Sequence, residues 1–234
     1  MDRDRLLLFL VFTLILLFPL SYFVGFERTG GWSENLLDAM VAFGVGAITS
    51  AAMLAFFGII STGMPAGEII GKIAVQTVPA SIGAIVARGQ LGSRDTGTGA
   101  RQKQAGYPGQ LFIMLAGAVF LTFNVAPTEE MVLIAFKMTP MHAIALILLS
   151  IFALHAFVYA LDFTGAEEVP EGMGLYWLVV SRSIAGYGIA IIVSLYVLWT
   201  FGRTDEASLF QIAMMTSVLG FPAALGAAAA RIII

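Results

Sequence analysis

Two adjacent carboxylates follow a proline in the most apolar part of the chain. Glu129 and Glu130 come just after Pro127, between an apolar run that ends near Asn124 and a second apolar run. Pro127 removes a backbone donor and disfavours helix at the preceding residue. Carboxylates beside long apolar helices are costly to desolvate, so they are paired, hydrated or functional. The pattern predicts a cation- or proton-binding site with Asn124 and Thr128 as neutral oxygen ligands, because hard cations prefer oxygen.

A structural role for the same carboxylates stays open. Neighbouring residues on a helix point about 100° apart, so Glu129 and Glu130 cannot face the same way. Glu130 also falls in the first turn after Pro127, where the helix dipole favours a negative charge. The sequence alone therefore leaves both readings in place.

An earlier carboxylate follows a proline with the same spacing. Glu68 stands three residues after Pro65, in a segment, 65–84, that is similar to 127–146. In both segments the first proline precedes a threonine by 12 residues, and an Ala/Ile-rich run follows. Transporters often build a mid-membrane site from paired repeats with proline-interrupted helices. Glu68 is therefore a candidate ligand in a second half, although apolar helices also produce such matches by chance.

Three further charged residues are candidate charge partners. Lys137 lies seven residues after Glu130 on the same helical face, and either neutralises it or extends its ammonium group to the interface. Arg182 lies inside an apolar run, where an arginine usually faces a carboxylate or a cavity. Its candidate partners are Glu129, Glu130 and Asp162, unless the true membrane span begins after Arg182.

A titratable row near the end of the fifth predicted helix is the next candidate. His155, Tyr159 and Asp162 fall at positions i, i+4 and i+7, on one helical face. Such a row indicates either a proton path or an interfacial cluster without a transport role.

The composition defines the class of protein. The 234 residues are 59% hydrophobic and only 12% charged, and the mean hydropathy is +0.92. A soluble domain carries about 25% charged residues, so the chain is expected to be an integral membrane protein. The net charge of −3 argues against nucleic-acid binding. The absence of cysteine excludes thiolate chemistry, and no nucleophile–base pair or cofactor motif points to an enzyme.

The apolar runs predict an all-α bundle of transmembrane helices in a single domain, 1–234. A spanning helix needs about 20 apolar residues, which gives seven helices, or six if 69–87 is a re-entrant segment. The segment 88–109 is predicted to be a flexible loop, and its excess of basic residues places it in the cytoplasm. Either count puts the segment 127–137 on the outer side.

The stretch Asn124-Val-Ala-Pro-Thr-Glu-Glu-Met131, followed by Lys137-Met-Thr-Pro140, carries a family resemblance. It resembles a family of bacterial integral membrane proteins of unknown function with about seven helices, over most of the chain. Ala126-Pro127-Thr128-Glu129 is also similar to the proline-and-glutamate segments of calcium–cation exchangers. This chain is too short for the usual ten or so helices of those exchangers, so that second similarity is an analogy.

The leading expectation is a small cation or proton transporter or channel in a bacterial inner membrane, without a cofactor and with the lipid bilayer as its partner. The alternative is a scaffold or sensory subunit that binds a partner protein through the basic loop. The sequence identifies no particular metal, and it leaves a homo-oligomer open.

Overall fold

The computed structural model describes residues 3–24, 32–91, 106–160, 177 and 179–233. Within them the chain is almost entirely helical and contains no strand, which confirms the all-α fold. The α-helices are α1 Arg3–Val24, α2 Trp32–Phe56, α3 Ala66–Leu91, α4 Tyr107–Val125, α5 Glu129–Lys137, α6 Pro140–His155, α7 Ala185–Thr200 and α8 Leu209–Ile233. The π-helical turns Ala156–Ala160 and Val179–Ile184 extend α6 and precede α7.

Seven of these helices, all except α5, are long and apolar enough to cross a membrane. Of the two predicted counts, seven or six with a re-entrant segment at 69–87, the structure agrees with seven, because α3 is one continuous helix through Pro79. Proline is tolerated inside membrane helices when neighbouring groups satisfy the freed backbone. The helices also occupy 88–91 and 107–109, so the segment between them is shorter than the predicted loop, and 92–105 lies outside the described residues.

The chain divides into two compact units, 1–104 and 105–233, where the sequence predicts a single domain. Unit 1 contains α1, α2 and α3, each of which packs against the other two. The helices α2 and α3 cross closely at Gly46, where an added Cβ atom would lie 2.8 Å from the backbone nitrogen of Ser81. Gly46 therefore gives α2 a close packing surface against α3.

Unit 2 is organised around α8, which packs against α4, α5, α6 and α7. The backbones of α4 and α8 meet at Gly117 and Gly226, where a Cβ atom on either glycine would overlap the carbonyl oxygen of the other. Met114 of α4 contacts Arg231 near the end of α8, which makes these two helices antiparallel. Because α8 lies at the centre of the unit, its polar residues have little access to lipid.

Candidate functional site

The proline break separates α4 from the short helix α5. Pro127 cannot donate a hydrogen bond, and α4 closes with Ala126 N–H donating to Thr122 O at 2.8 Å. Thr128 then has extended backbone angles and begins the next helix as its N-cap residue. Its hydroxyl donates back to Val125 O at 2.8 Å rather than to α5. The predicted break is therefore confirmed as a tight turn between two helices.

Glu129 and Glu130 form the first turn of α5, and both are exposed. The positive end of the helix dipole favours negative charge at this position. Neither carboxylate makes an ion pair within the described part of the chain. The buried face of α5 consists of Met131 and Ala135, and the helix packs against α8. The two carboxylates thus stand at an accessible edge of the unit.

The predicted oxygen ligands do not converge on these carboxylates. Asn124 is exposed, and its Nδ2 donates to Phe120 O at 2.6 Å. The Thr128 hydroxyl is likewise bonded to its own turn. No group of three or more His, Asp or Glu side chains suited to a metal ion exists within the described ranges.

An arginine that the sequence analysis did not select lies at the proline break. Arg203, in the turn between α7 and α8, donates from Nη2 to Pro127 O at 3.1 Å. The carbonyl of a residue at a helix end needs a partner from outside the helix. The sequence gives no indication of this contact, because Arg203 is a single cation in a polar turn, far along the chain from Pro127.

Glu68 belongs to unit 1, where its Oε1 atom pairs with Lys72 Nζ at 2.9 Å. Lys72 Nζ also lies 3.3 Å from Ile59 O and 3.6 Å from Met64 Sδ. The lysine therefore ties the α2–α3 connection to the first turns of α3. The role of Glu68 as an ion ligand stays a prediction.

Arg182 lies far from the glutamates that were proposed as its partners. Its guanidinium carbon stands 4.8 Å from the centre of the Tyr107 ring, a cation–π contact. Tyr107 begins α4 and the glutamates follow its end, so the length of that helix, about 27 Å, separates them. Pairing of Arg182 with Glu129 or Glu130 is therefore wrong. The third candidate, Asp162, lies outside the described residues.

Lys137 ends α5 and is exposed, without an ion pair to any described carboxylate. The helix holds it two turns from Glu130, beyond the reach of an i, i+4 pair. Of its two predicted roles, neutralising Glu130 is not realised in this structure.

His155 is positioned by a hydrogen bond to the next membrane helix. Its Nδ1 atom lies 2.8 Å from Ser183 Oγ, and Ser183 is fully buried. The bond joins the end of α6 to the π-helical turn that precedes α7. The side chain of Tyr159 and the whole of Asp162 lie outside the described residues, so the rest of the predicted row stays a prediction.

Apart from Ser183, the buried hydroxyls of unit 2 fall into two groups. One group donates to the carbonyl oxygen four residues earlier in its own helix, and its members are Ser150, Ser194, Thr200 and Ser217. The other group has no hydrogen-bond partner among the described residues, and its members are Thr122, Tyr187 and Thr216. Unpaired buried hydroxyls are rare and usually indicate water or an ion. The second group is the most unusual polar feature of the unit.

Two members of that group, Tyr187 of α7 and Thr216 of α8, are related to the His155–Ser183 contact by helical spacing. Tyr187, on α7, comes one helical turn after Ser183, which belongs to the π-helical turn that precedes α7. The Tyr187 hydroxyl lies beside α8, 3.1 Å from where a Cβ atom on Gly220 would be. Ser150 approaches the same hydroxyl without the geometry of a hydrogen bond. Thr216 is one turn before Gly220 on α8, on the same face. We call His155, Ser183, Tyr187 and Thr216 the polar row.

A small cavity lies between α5 and the first turns of α8, and its wall includes Met215, the residue before Thr216, but not Thr216 itself. It has a volume of about 50 Å³, enough for one water molecule or two. Its walls include Gln211 and Met215 of α8 and Ala135 and Phe136 of α5. The cavity thus lies where residues of α8 that come shortly before Thr216 pack against the short helix that carries Glu129 and Glu130.

The comparisons with known proteins identify a family but no activity. The full length of the chain, residues 1–234, matches the family described as putative integral membrane protein (DUF2391). No curated protein and no solved structure matches the chain. The seven membrane-length helices agree with that description. The protein therefore belongs to this family of integral membrane proteins, as the resemblance of the segment around Pro127 implies.

Proposed function

We propose that the protein carries protons, or a small cation, across a bacterial inner membrane, as a transporter or a channel rather than an enzyme. The observation that supports this most strongly is the set of buried, unpartnered hydroxyls of Thr122, Tyr187 and Thr216. A polar group that is unsatisfied inside a membrane protein is costly, and such groups mark ion or proton pathways. Water molecules between these hydroxyls would supply the missing partners.

The chemistry of the polar row suits protons better than larger ions. Hydroxyl groups and an imidazole ring both donate and accept hydrogen bonds, so they can pass a proton along a chain of water molecules. The Ser183–His155 bond of 2.8 Å is one link of such a chain. The cavity that Met215 lines, one residue before Thr216 in the chain, offers space for water near the other end.

Glu129 and Glu130 would act at the entrance of the proposed proton pathway. Exposed carboxylates without an ion partner concentrate cations and protons near a pathway. They stand in the first turn of α5, whose later residues Ala135 and Phe136 line the water-sized cavity, and this supports an entrance at that helix. The ion-binding role of Glu68, in unit 1, stays a separate prediction, because its carboxylate pairs with Lys72.

The test of the path is proton flux in proteoliposomes that contain a pH-sensitive dye, under an imposed pH gradient. Tyr187→Phe and Thr216→Val each remove one hydroxyl with little change in shape. We expect each to lower the flux about tenfold, because each removes one hydrogen-bond link. Thr200→Val is the matched control, since the Thr200 hydroxyl donates to Tyr196 O at 2.8 Å within its own helix. Wild-type flux in both path variants would place conduction elsewhere.

The test of the entrance uses Glu129→Gln, Glu130→Gln and the double variant. We expect the double variant to slow flux most at low proton concentration, where capture of the ion limits the rate. Unchanged flux in all three variants would leave the glutamates with the structural role described for a helix start. A wild-type protein that carries no ion, but loses a co-purifying protein when 90–105 is deleted, would favour the scaffold alternative.

A further inference from the structure

A long groove opens on unit 1 between α1 and α3, beside the end of α2. Its volume is about 910 Å³, at the upper end of the roughly 300–1,000 Å³ range of small-molecule sites. Most of its wall is aliphatic, and includes Leu6 and Leu10 of α1, Leu54 of α2 and Val75 of α3. Such a wall suits a hydrocarbon chain rather than a polar solute.

The charged residues of the groove gather at one end. Arg3, Glu68 and Lys72 line it there, and the Arg3 Nη2 atom lies 3.3 Å from where a Cβ atom on Gly67 would be. Glu68 pairs with Lys72, whereas Arg3 has no carboxylate partner among the described residues. Two cations and one anion give this end a net charge of about +1. The exposed guanidinium is suited to bind a phosphate group through two hydrogen bonds.

The dimensions match one leaflet of a membrane. Nine residues of α3 separate Gly67 from Gln76, the two ends of its contribution to the groove wall. They rise by about 14 Å, which is close to half of the roughly 30 Å hydrocarbon core. Arg3 begins α1 and Gly67 lies in the first turn of α3, so the charged end of the groove is at the helix ends. Headgroups lie at that level of a bilayer.

We propose that this groove binds an anionic phospholipid. The phosphate group contacts Arg3 beside the Glu68–Lys72 pair, and one acyl chain lies along the aliphatic wall between α1 and α3. The inference rests on charge complementarity and groove length in unit 1, and is independent of the transport pathway proposed for unit 2. A phospholipid with one net negative charge balances the net positive charge of the site.

The experiment measures thermal unfolding of the full chain in a neutral detergent, with short-chain phosphatidylglycerol or phosphatidylcholine of the same chain length. A ligand that binds only the folded state raises the unfolding temperature with its concentration. We expect phosphatidylglycerol to stabilise the wild type and to remain in native mass spectra, and phosphatidylcholine to bind about tenfold more weakly. Equal effects of the two lipids would contradict the proposed headgroup contact.

Two variants with matched controls locate the site. Arg3→Gln removes the guanidinium, and we expect it to weaken phosphatidylglycerol binding about tenfold, whereas Lys137→Gln removes an exposed cation elsewhere without effect. Gly71→Leu fills the groove, since a Cβ atom at Gly71 meets nothing within 4 Å. Gly44→Leu adds the same side chain in open space away from the groove. Wild-type lipid binding by both Arg3→Gln and Gly71→Leu would overturn the proposal, because the lipid would then bind outside the groove.

Discussion

Two segments of similar sequence, 65–84 and 127–146, fold differently. Both begin with Pro-x-x-Glu and have a threonine 12 residues after the proline. The first is a single helix from Ala66 onwards, whereas the second forms two helices that meet at Thr139. The similarity is therefore not accompanied by a shared structure, and the structure does not support an internal repeat.

One residue of spacing explains the difference. Thr139 stands directly before Pro140, so it caps α6 with proline at the first helical position, and Thr139 and His142 complete a capping box. Thr77 stands two residues before Pro79, and its hydroxyl instead donates to Ile73 O at 2.8 Å inside α3. In this protein, the threonine that directly precedes a proline starts a helix, whereas the threonine two residues before a proline lies inside one.

The largest expected effect concerns packing of the second segment. Met131→Ala should lower the free energy of unfolding by about 2 kcal/mol, because Met131 is 2% exposed and the change leaves a cavity against α8. Ile70→Ala, in the first segment, should change stability by less than about 0.5 kcal/mol, because its side chain is 64% exposed. Both are measured by denaturant unfolding in detergent micelles. Equal losses would mean that the two segments are equally packed in the full protein.

The next effect tests the two threonines. Thr139→Ala should destabilise the protein by about 1 kcal/mol, since it removes the N-cap of α6. Thr77→Ala should cost less than about 0.5 kcal/mol, because a hydroxyl bonded to its own helix adds little to stability. Thermal unfolding of the two variants side by side compares them directly. A larger loss at Thr77 would show that its hydroxyl supports the backbone beside Pro79.

The smallest effect concerns the lysine after each glutamate. Lys72→Met should lower stability by less than about 1 kcal/mol and make it less sensitive to salt, because the Glu68–Lys72 pair is partly exposed. Lys137→Met should leave both properties unchanged, since Lys137 has no ion partner among the described residues. Unfolding at low and high salt concentration separates the two lysines, and a salt-dependent loss at Lys137 would reveal a partner that forms in solution.

The sequence predicted some local interactions and missed others that were readable. The proline break after Asn124 and the exposed first turn at Glu129 follow from local rules for proline and helix ends. The Glu68–Lys72 pair has the i, i+4 spacing of a helical ion pair, so it too was readable from the sequence. Arg182 was assigned to the wrong partners, because the sequence does not say which end of α4 it faces.

The sequence by itself determined the membrane class, the all-α fold and a count of six or seven spans, because hydropathy is a sum over neighbouring residues. Only the tertiary structure decided which polar groups remain unpaired. Thr200 and Thr216 belong to similar apolar helices, yet one hydroxyl is bonded and the other is not. The same holds for the groove beside Arg3, whose walls come from three helices. Hydrogen bonding and cavity shape depend on atoms that are distant in the chain, and no local pattern specifies them.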